Sequence, residues 1–135
     1  MKHLLPAGWP QPRGYSNGIE ATGTQVFVAG MIGWDEHGKF AEGFAGQLKK
    51  TLENTLAVLA EADAGPGDIV RMTWYVTDLD AYRDNLRDIG AAYREVMGKN
   101  FPAMAVVGVT GLVEREALLE IETTAVVRRS PSSAS

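Results

Sequence analysis

The chain has no cysteine among its 135 residues, which excludes disulfide bonds, a thiol nucleophile and a cysteine-based metal site. Histidine is also scarce. His3 and His37 lie far apart, so no zinc-type spacing exists and we expect no metal. Lysine and arginine form no cluster and the net charge is −4, so nothing favours a nucleic-acid partner. No secretory signal or apolar run of membrane-spanning length is present. We therefore expect a cytoplasmic protein without a membrane partner.

The composition that remains is that of an ordinary globular domain, with 45% hydrophobic and 22% charged residues. Periodicity predicts the order β-β-α-β-α-β-β, which is an α+β fold in one domain over residues 1–127. The polar tail, 128–135, is expected to be disordered. Strands are predicted over 16–21, 25–32, 69–77, 103–109 and 118–127, with the first two forming a hairpin, and helices over 42–62 and 81–97.

Two amphipathic helices can cover only one face of a mixed sheet of this size. Yet the segments 25–32, QVFVAGMI, and 103–107, AMAVV, are apolar on both sides, as is typical of strands covered on both faces. The second face would then carry a large apolar surface, which a soluble monomer rarely leaves in water. We therefore expect the chain to form a homo-oligomer.

The last predicted strand carries two carboxylates in an otherwise apolar stretch. Alternation places Glu120 and Glu122 on one face of this strand, and Leu119 and Ile121 on the other. A carboxylate in such a strand costs free energy unless it has a partner or a use. These two glutamates are therefore the first candidates for a functional site.

Several short patterns resemble the RidA/YjgF family, which also carries the older label endoribonuclease L-PSP. They occur in the family's order and cover nearly the whole chain: Gly14-Tyr-Ser16, Val26-Phe-Val-Ala-Gly-Met-Ile32, Gly67-Asp-Ile-Val70, Asn85, Phe101-Pro-Ala103 and Leu119-Glu-Ile-Glu122. The resemblance implies a chorismate-mutase-like fold and a homotrimer, in which three sheets form a central barrel with the helices outside. It also implies three small-molecule clefts at the subunit interfaces. Family members with deaminase activity hydrolyse enamines and imines to ketones and ammonia there, without a metal or cofactor.

The resemblance further implies which residues form the cleft. Glu120 matches the carboxylate that holds the hydrolytic water, and we take it as the catalytic residue. Four other positions match the substrate-binding part of the family pattern: Tyr15, Gly30, Met31 and Asn85.

The chain departs from the deaminase subgroup at Met104, directly after Pro102 and Ala103. The deaminases have an arginine there, which grips the substrate carboxylate. Methionine has neither a donor nor a charge, and its thioether adapts to apolar surfaces. We therefore count Met104 among the substrate-binding residues and expect a ligand that is uncharged or bulkier. Small imino acids should be poor substrates. The structural alternative is a core methionine that fills a gap at the interface.

Three functional classes remain open. The first is a hydrolase that uses Glu120 and a water, and the second is a non-catalytic trimer that binds a metabolite. The third, an endoribonuclease, is disfavoured because the chain is acidic and lacks a His/Lys acid–base pair on a basic surface. Glu120 has a structural alternative as well, an ion pair across the interface or with Arg71. Trp34 and His37 lie in a loop that could cover a pocket.

Overall fold

The computed structural model describes residues 1–129. A four-stranded mixed sheet forms its centre, with two longer helices against one face. The elements in chain order are β1 (Lys2–His3), β2 (Ile19–Glu20), β3 (Thr24–Met31), α1 (Gly43–Ala60), a 3₁₀ turn (Pro66–Asp68), β4 (Ile69–Val76), α2 (Leu79–Asp84), α3 (Leu86–Met97), β5 (Ala103–Gly108) and β6 (Leu119–Val127). This α+β architecture agrees with the fold class predicted from the sequence.

The strand order in the sheet is β3-β6-β4-β5. Strand β6 runs antiparallel to both of its neighbours, whereas β4 and β5 are parallel. A parallel pair needs a crossover connection, and the chain supplies it with α2 and α3. The sheet is therefore mixed because a helical crossover precedes its last edge strand.

The core lies between the sheet and the helices α1 and α3. On α1, Leu48, Leu52 and Leu59 are fully buried, as their helical spacing predicts. On β6, Leu119 and Ile121 are also fully buried, and the residues that alternate with them face away from the helices. The predicted alternation of β6 is confirmed.

The predicted hairpin of 16–21 with 25–32 is wrong. Strand β2 pairs with β1 in a separate two-stranded sheet, and β3 pairs with β6 instead. The connection between β2 and β3 packs against the end of β6, where a Cβ atom on Gly23 would lie 2.4 Å from the carbonyl oxygen of Val127. The segment before β3 therefore turns away from it, so that the residues of β2 pair with β1 and not with β3.

The predicted helix over 81–97 is divided in two. Asp78 caps α2 by accepting a hydrogen bond from the amide of Ala81 at 3.1 Å. Asn85 then leaves the helical conformation, with φ −124° and ψ 26°, and separates α2 from α3. The break leaves Leu86 largely exposed, while Ile89, Tyr93 and Met97 are buried.

The end of the chain is described as far as Arg129, whose guanidinium donates a hydrogen bond of 3.1 Å to the carbonyl of Ala62. Residues 130–135, most of the predicted tail, lie outside the described residues, so its disorder stays a prediction. Within residues 1–129, every helix is too short or too polar to cross a membrane.

Loop 116–118 is attached to α1 by the side chain of Gln47, which is almost fully buried. The amide nitrogen donates to the carbonyl of Glu116 at 3.0 Å, and the amide oxygen accepts from the N–H of Leu118 at 2.8 Å. Both groups of one buried amide are thus satisfied by the backbone that leads into β6. Gln47 therefore fixes where β6 begins, and with it the position of Glu120.

We expect Gln47→Glu to lower the free energy of unfolding by about 1–3 kcal/mol, because a buried carboxylate cannot donate to the Glu116 carbonyl. Urea denaturation measures the change. Glu53→Gln, on the exposed side of the same helix, is the matched control and should have little effect. Equal effects of the two substitutions would contradict the proposed role of Gln47.

Candidate functional site

A cavity of about 380 Å³ opens between β4, β5, the α2–α3 region and the segment 13–15. Its wall is mainly aromatic and apolar. Residues that form this wall include Tyr15, Trp74, Tyr82, Tyr93, Phe101 and Met104. The size and the apolar wall are typical of a small-molecule site.

Tyr15 reaches the cavity because the chain beside it is attached to the start of β5. The amide of Ser16 donates to the carbonyl of Pro102 at 3.0 Å, and its hydroxyl donates to the carbonyl of Phe101 at 2.5 Å. Ser16 also forms a parallel bridge with Ala103. Tyr15 is 43% exposed and lies near Met104, so two of the predicted substrate-binding residues meet in this cavity.

The aromatic side chains behind the cavity pack on one another. The rings of Tyr93 and Phe101 are nearly parallel, with their centroids 5.6 Å apart. Trp74 packs against Tyr93 with a centroid distance of 6.2 Å. Tyr82 meets Trp74 edge to face at 6.4 Å. Burial raises the pKa of Tyr93 and of Tyr82, so both phenols stay neutral. The aromatic part of the wall is therefore neutral and held by favourable ring contacts.

Glu120 lies elsewhere, over the backbone of Gly30. A Cβ atom on Gly30 would be 2.7 Å from both Cδ and Oε2 of Glu120, so only glycine leaves room for the carboxylate in this position. The register of β3 against β6 shifts between Val28 and Met31, which is a β-bulge beside this contact. Among residues 1–129, Glu120 makes no hydrogen bond or ion pair within the chain.

Glu122 has a partner on the same face of the sheet. The hydroxyl of Tyr75 donates a hydrogen bond of 2.5 Å to its carboxylate. This hydrogen bond is the main reason that the pKa of Tyr75 is raised, with smaller contributions from desolvation and from the charges of Glu122 and Glu120. Arg71 also faces this side, opposite Thr124, and makes no ion pair with Glu120. The two glutamates therefore differ: Glu122 is engaged by Tyr75, whereas Glu120 is not.

The cavity and Glu120 lie on opposite faces of the sheet in one chain. Glu120 pairs with Tyr75, and Met104 pairs with Met72. Because side chains alternate along a strand, residues 72 and 75 of β4 point to opposite faces. Met104 thus lies on the helix side and Glu120 on the open side, and the two do not meet within one chain.

Two other predicted substrate-binding residues lie away from the cavity wall. Met31 pairs with Ile121 and packs against the core. The side-chain amide of Asn85 donates to the carbonyl of Ala81 at 2.7 Å, in the α2–α3 break. Their roles in ligand binding stay predictions.

The loop after β3 carries Trp34 and His37. Trp34 packs on Phe40, with ring centroids 5.5 Å apart, and Asn54 donates to its carbonyl at 2.8 Å. His37 is exposed and lies 3.7 Å from an equally exposed Glu36. In one chain, neither Trp34 nor His37 lines the cavity described above.

The sequence interpretation missed two charged residues of the cavity, Arg13 and Arg94. Arg94 lies on α3 next to the buried Tyr93, so its sequence position alone marks it as an ordinary surface residue. Its side chain folds back over Gly90, one turn earlier, where a Cβ atom would lie 3.1 Å from a guanidinium nitrogen. Nothing in the local sequence marks Arg94 as part of a cavity.

The fold and the site define the class of protein: a mixed sheet with helices on one face, as in the RidA/YjgF proteins. The family model described as endoribonuclease L-PSP matches residues 10–127, and the chain belongs to this family.

Individual relatives agree with the family match. A RutC family protein of Aquifex aeolicus is 38% identical over 129 residues, which span 93% of this chain and 99% of the relative. A 2-iminobutanoate/2-iminopropanoate deaminase of Salmonella typhimurium is 32% identical over 118 residues, 84% of this chain and 88% of that protein. The crystal structure of the Rid-family protein YyfB from Yersinia pestis has a TM-score of 0.82 and 30% identity, covering 93% of this chain and 98% of that one.

We expect Glu122→Gln to lower the pH at which Tyr75 ionises. The carboxylate favours the neutral phenol through a charge-assisted hydrogen bond, and glutamine removes that charge. Ultraviolet absorbance of tyrosinate during a pH titration measures the change, and Tyr75→Phe identifies the transition that belongs to this residue. Glu114→Gln, in an exposed loop, is the control. An unchanged titration in Glu122→Gln would contradict the assignment.

Proposed function

We propose that this chain forms a homotrimer whose intersubunit clefts hydrolyse an imine or enamine to a ketone and ammonia. The observation that carries the proposal is the opposite orientation of Glu120 and Met104 on the sheet. A cleft that joins the unpaired carboxylate to the cavity therefore needs two copies of the chain. The name of the Salmonella relative, a 2-iminobutanoate/2-iminopropanoate deaminase, supports the same class of reaction here.

The open face of the sheet supports the assembly. Phe27 is 71% exposed and Val107 is 41% exposed, and small residues such as Ala29 and Ala105 lie on the same face. Apolar groups of this kind on one continuous sheet face are typical of an interface. Three such sheets closing into a central barrel would cover this face in every copy, as the family resemblance implies.

The reaction follows from the chemistry of an imine beside a carboxylate-held water. Glu120 orients the water and accepts one of its protons while the oxygen attacks the imine carbon. The resulting carbinolamine breaks its C–N bond, and the nitrogen leaves as ammonia after taking up a proton. The net change is one imine and one water consumed, and one ketone and one ammonia formed. An enamine enters the same sequence after protonation of its carbon gives the imine.

The surroundings of Glu120 in one chain suit this role. Its carboxylate lies against the Gly30 backbone and makes no ion pair among the described residues, so it is free to hold a water. Substrate would contact the cavity wall of the neighbouring copy, including Tyr15 and Met104. Met104 offers no charge where the deaminase subgroup has its arginine. Small imino acids, which rely on that clamp for orientation, should therefore react slowly.

If the chain forms a trimer, sedimentation equilibrium at micromolar concentration should show a species of three times the 14.6 kDa chain mass. Phe27→Asp should dissociate it, because a carboxylate buried in the interface would lose its hydration. Val113→Asp, at a loop position that is 96% exposed, is the matched control and should sediment as the wild type does. A wild-type monomer would contradict the trimer.

The role of Glu120 predicts that Glu120→Gln retains the assembly and loses about 100-fold or more of the turnover, because an amide cannot act as a base. A coupled assay that generates the imine in situ and follows ketoacid release above the spontaneous rate measures this. Glu114→Gln is again the control. Unchanged turnover in Glu120→Gln would show that this residue is structural.

The same assay separates a hydrolase from a metabolite-binding trimer. Wild-type protein that binds a ligand in the cleft, yet adds nothing to the spontaneous hydrolysis of several imines, would favour the non-catalytic alternative.

A further inference from the structure

We propose that Arg94 and Arg13 form the anion-binding part of the cavity, and that the cavity takes a carboxylate with a bulky aromatic or apolar body. The inference rests on the proposed function in one respect, since it treats this cavity as the ligand half of the intersubunit cleft. The inference goes further by naming the class of substrate that the cavity selects.

The charge distribution of the cavity favours an anion. Arg13 and Arg94 are the charged residues of its lining, and no acidic side chain contributes to it. Among residues 1–129, neither guanidinium has a carboxylate within ion-pair distance. The three ion pairs of this part of the chain involve other residues. A guanidinium beside a cavity, with its donors unpaired, fits a ligand carboxylate, which it can bind through two parallel hydrogen bonds.

The position of Arg94 is supported by Gly90. The guanidinium lies over this glycine on the preceding turn of α3, close enough that a Cβ atom there would meet Nη1 at 3.1 Å. Both residues line the cavity. The guanidinium therefore lies beside the opening over the helix surface that Gly90 leaves free, and an alanine there would move it by only a few tenths of an ångström.

The rest of the cavity fits a body larger than the side chain of a small imino acid. A volume of about 380 Å³ falls in the range of small-molecule sites. Phe101 and Tyr82, which are only partly buried, and Leu86, which is 55% exposed, offer apolar surface to an aromatic group, with Tyr93 and Trp74 buried behind them. Met104 adds an adaptable apolar contact. A ligand that places its carboxylate at Arg94 and Arg13 can therefore fill the cavity with its apolar part.

In this arrangement the groups that bind the carboxylate do not lie at the position of Met104 on β5, where the deaminase subgroup has its arginine. The guanidinium donors lie at Arg94 on α3 and at Arg13 on the N-terminal segment, while Met104 on β5 contributes apolar surface. For a 2-imino acid, the carboxylate would bind at the arginines and the side chain would lie against the rings. The preferred substrates would then be 2-imino acids with aromatic or large branched side chains, in preference to those with one or two side-chain carbons.

Binding of unreactive probes tests the inference separately from turnover. The probes are 3-phenylpropanoate, its uncharged amide 3-phenylpropanamide, and propanoate, each titrated by calorimetry into the assembled wild-type protein. We expect 3-phenylpropanoate to bind at least about tenfold more tightly than either of the others, because only it has both the charge and the ring. Equal affinity for the acid and the amide, or no binding of the acid at millimolar concentration, would overturn the inference.

The variants assign the effect to the arginines. Arg94→Met should weaken binding of 3-phenylpropanoate by about tenfold and leave 3-phenylpropanamide unchanged, and Arg13→Met should act in the same direction. Arg87→Met, at an exposed position of the same helix outside the cavity, is the matched control and should bind as the wild type does. Wild-type affinity in both Arg94→Met and Arg13→Met would overturn the inference.

Glu120→Gln distinguishes the two proposals. It should retain the affinity for 3-phenylpropanoate while losing turnover. A protein that binds the acid through its arginines but hydrolyses no imine would refute the proposed reaction and leave the anion site in place. A protein that hydrolyses imines, with no effect of either arginine on binding or on KM for aromatic imino acids, would refute the anion site alone.

Discussion

One sheet with helices on a single face is the constraint on which the rest of the molecule depends. Strand alternation divides every strand between a core face and an open face. Leu119 and Ile121 of β6 take the core face, and Glu120 and Glu122 consequently take the open one. Burial of apolar groups fixes this division, because a shift by one residue would place two carboxylates in the core. The free energy that holds the fold together thus also determines which side of the sheet carries the two carboxylates.

Elements with strong periodicity could be predicted from the sequence, and elements decided by distant partners could not. Helix α1 and strands β4, β5 and β6 follow from repeats of apolar residues that the core then confirms. The hairpin prediction failed because β6, almost one hundred residues later, is the partner of β3. The division of the second helix depends on the backbone of Asn85, whose amide bonds to Ala81. No pattern in the local sequence distinguishes this break from a continuous helix.

The residues of the candidate site likewise include some that could be predicted from the sequence and some that could not. The family pattern identified Gly30 and Glu120, and the structure brings them into contact through the bulge in β3. Tyr15 and Met104 were likewise identified, and they meet because Ser16 is attached to the start of β5. The opposite faces of Met104 and Glu120 could not be read from the sequence, because they depend on the register of β4 with both neighbours. The arginines were missed because their significance comes from the space beside them, which only the packed helix reveals.

The opposite orientation of Glu120 and Met104 has a consequence for subunits of mixed origin. In the proposed assembly, a cleft shared between neighbours would take its carboxylate from one chain and its cavity from the next. In an assembly that mixes a chain defective in the carboxylate with a chain defective in the cavity, some clefts combine the two intact halves. Others combine the two defective ones. Two inactive proteins would then restore part of each other's activity when coexpressed, which is intragenic complementation.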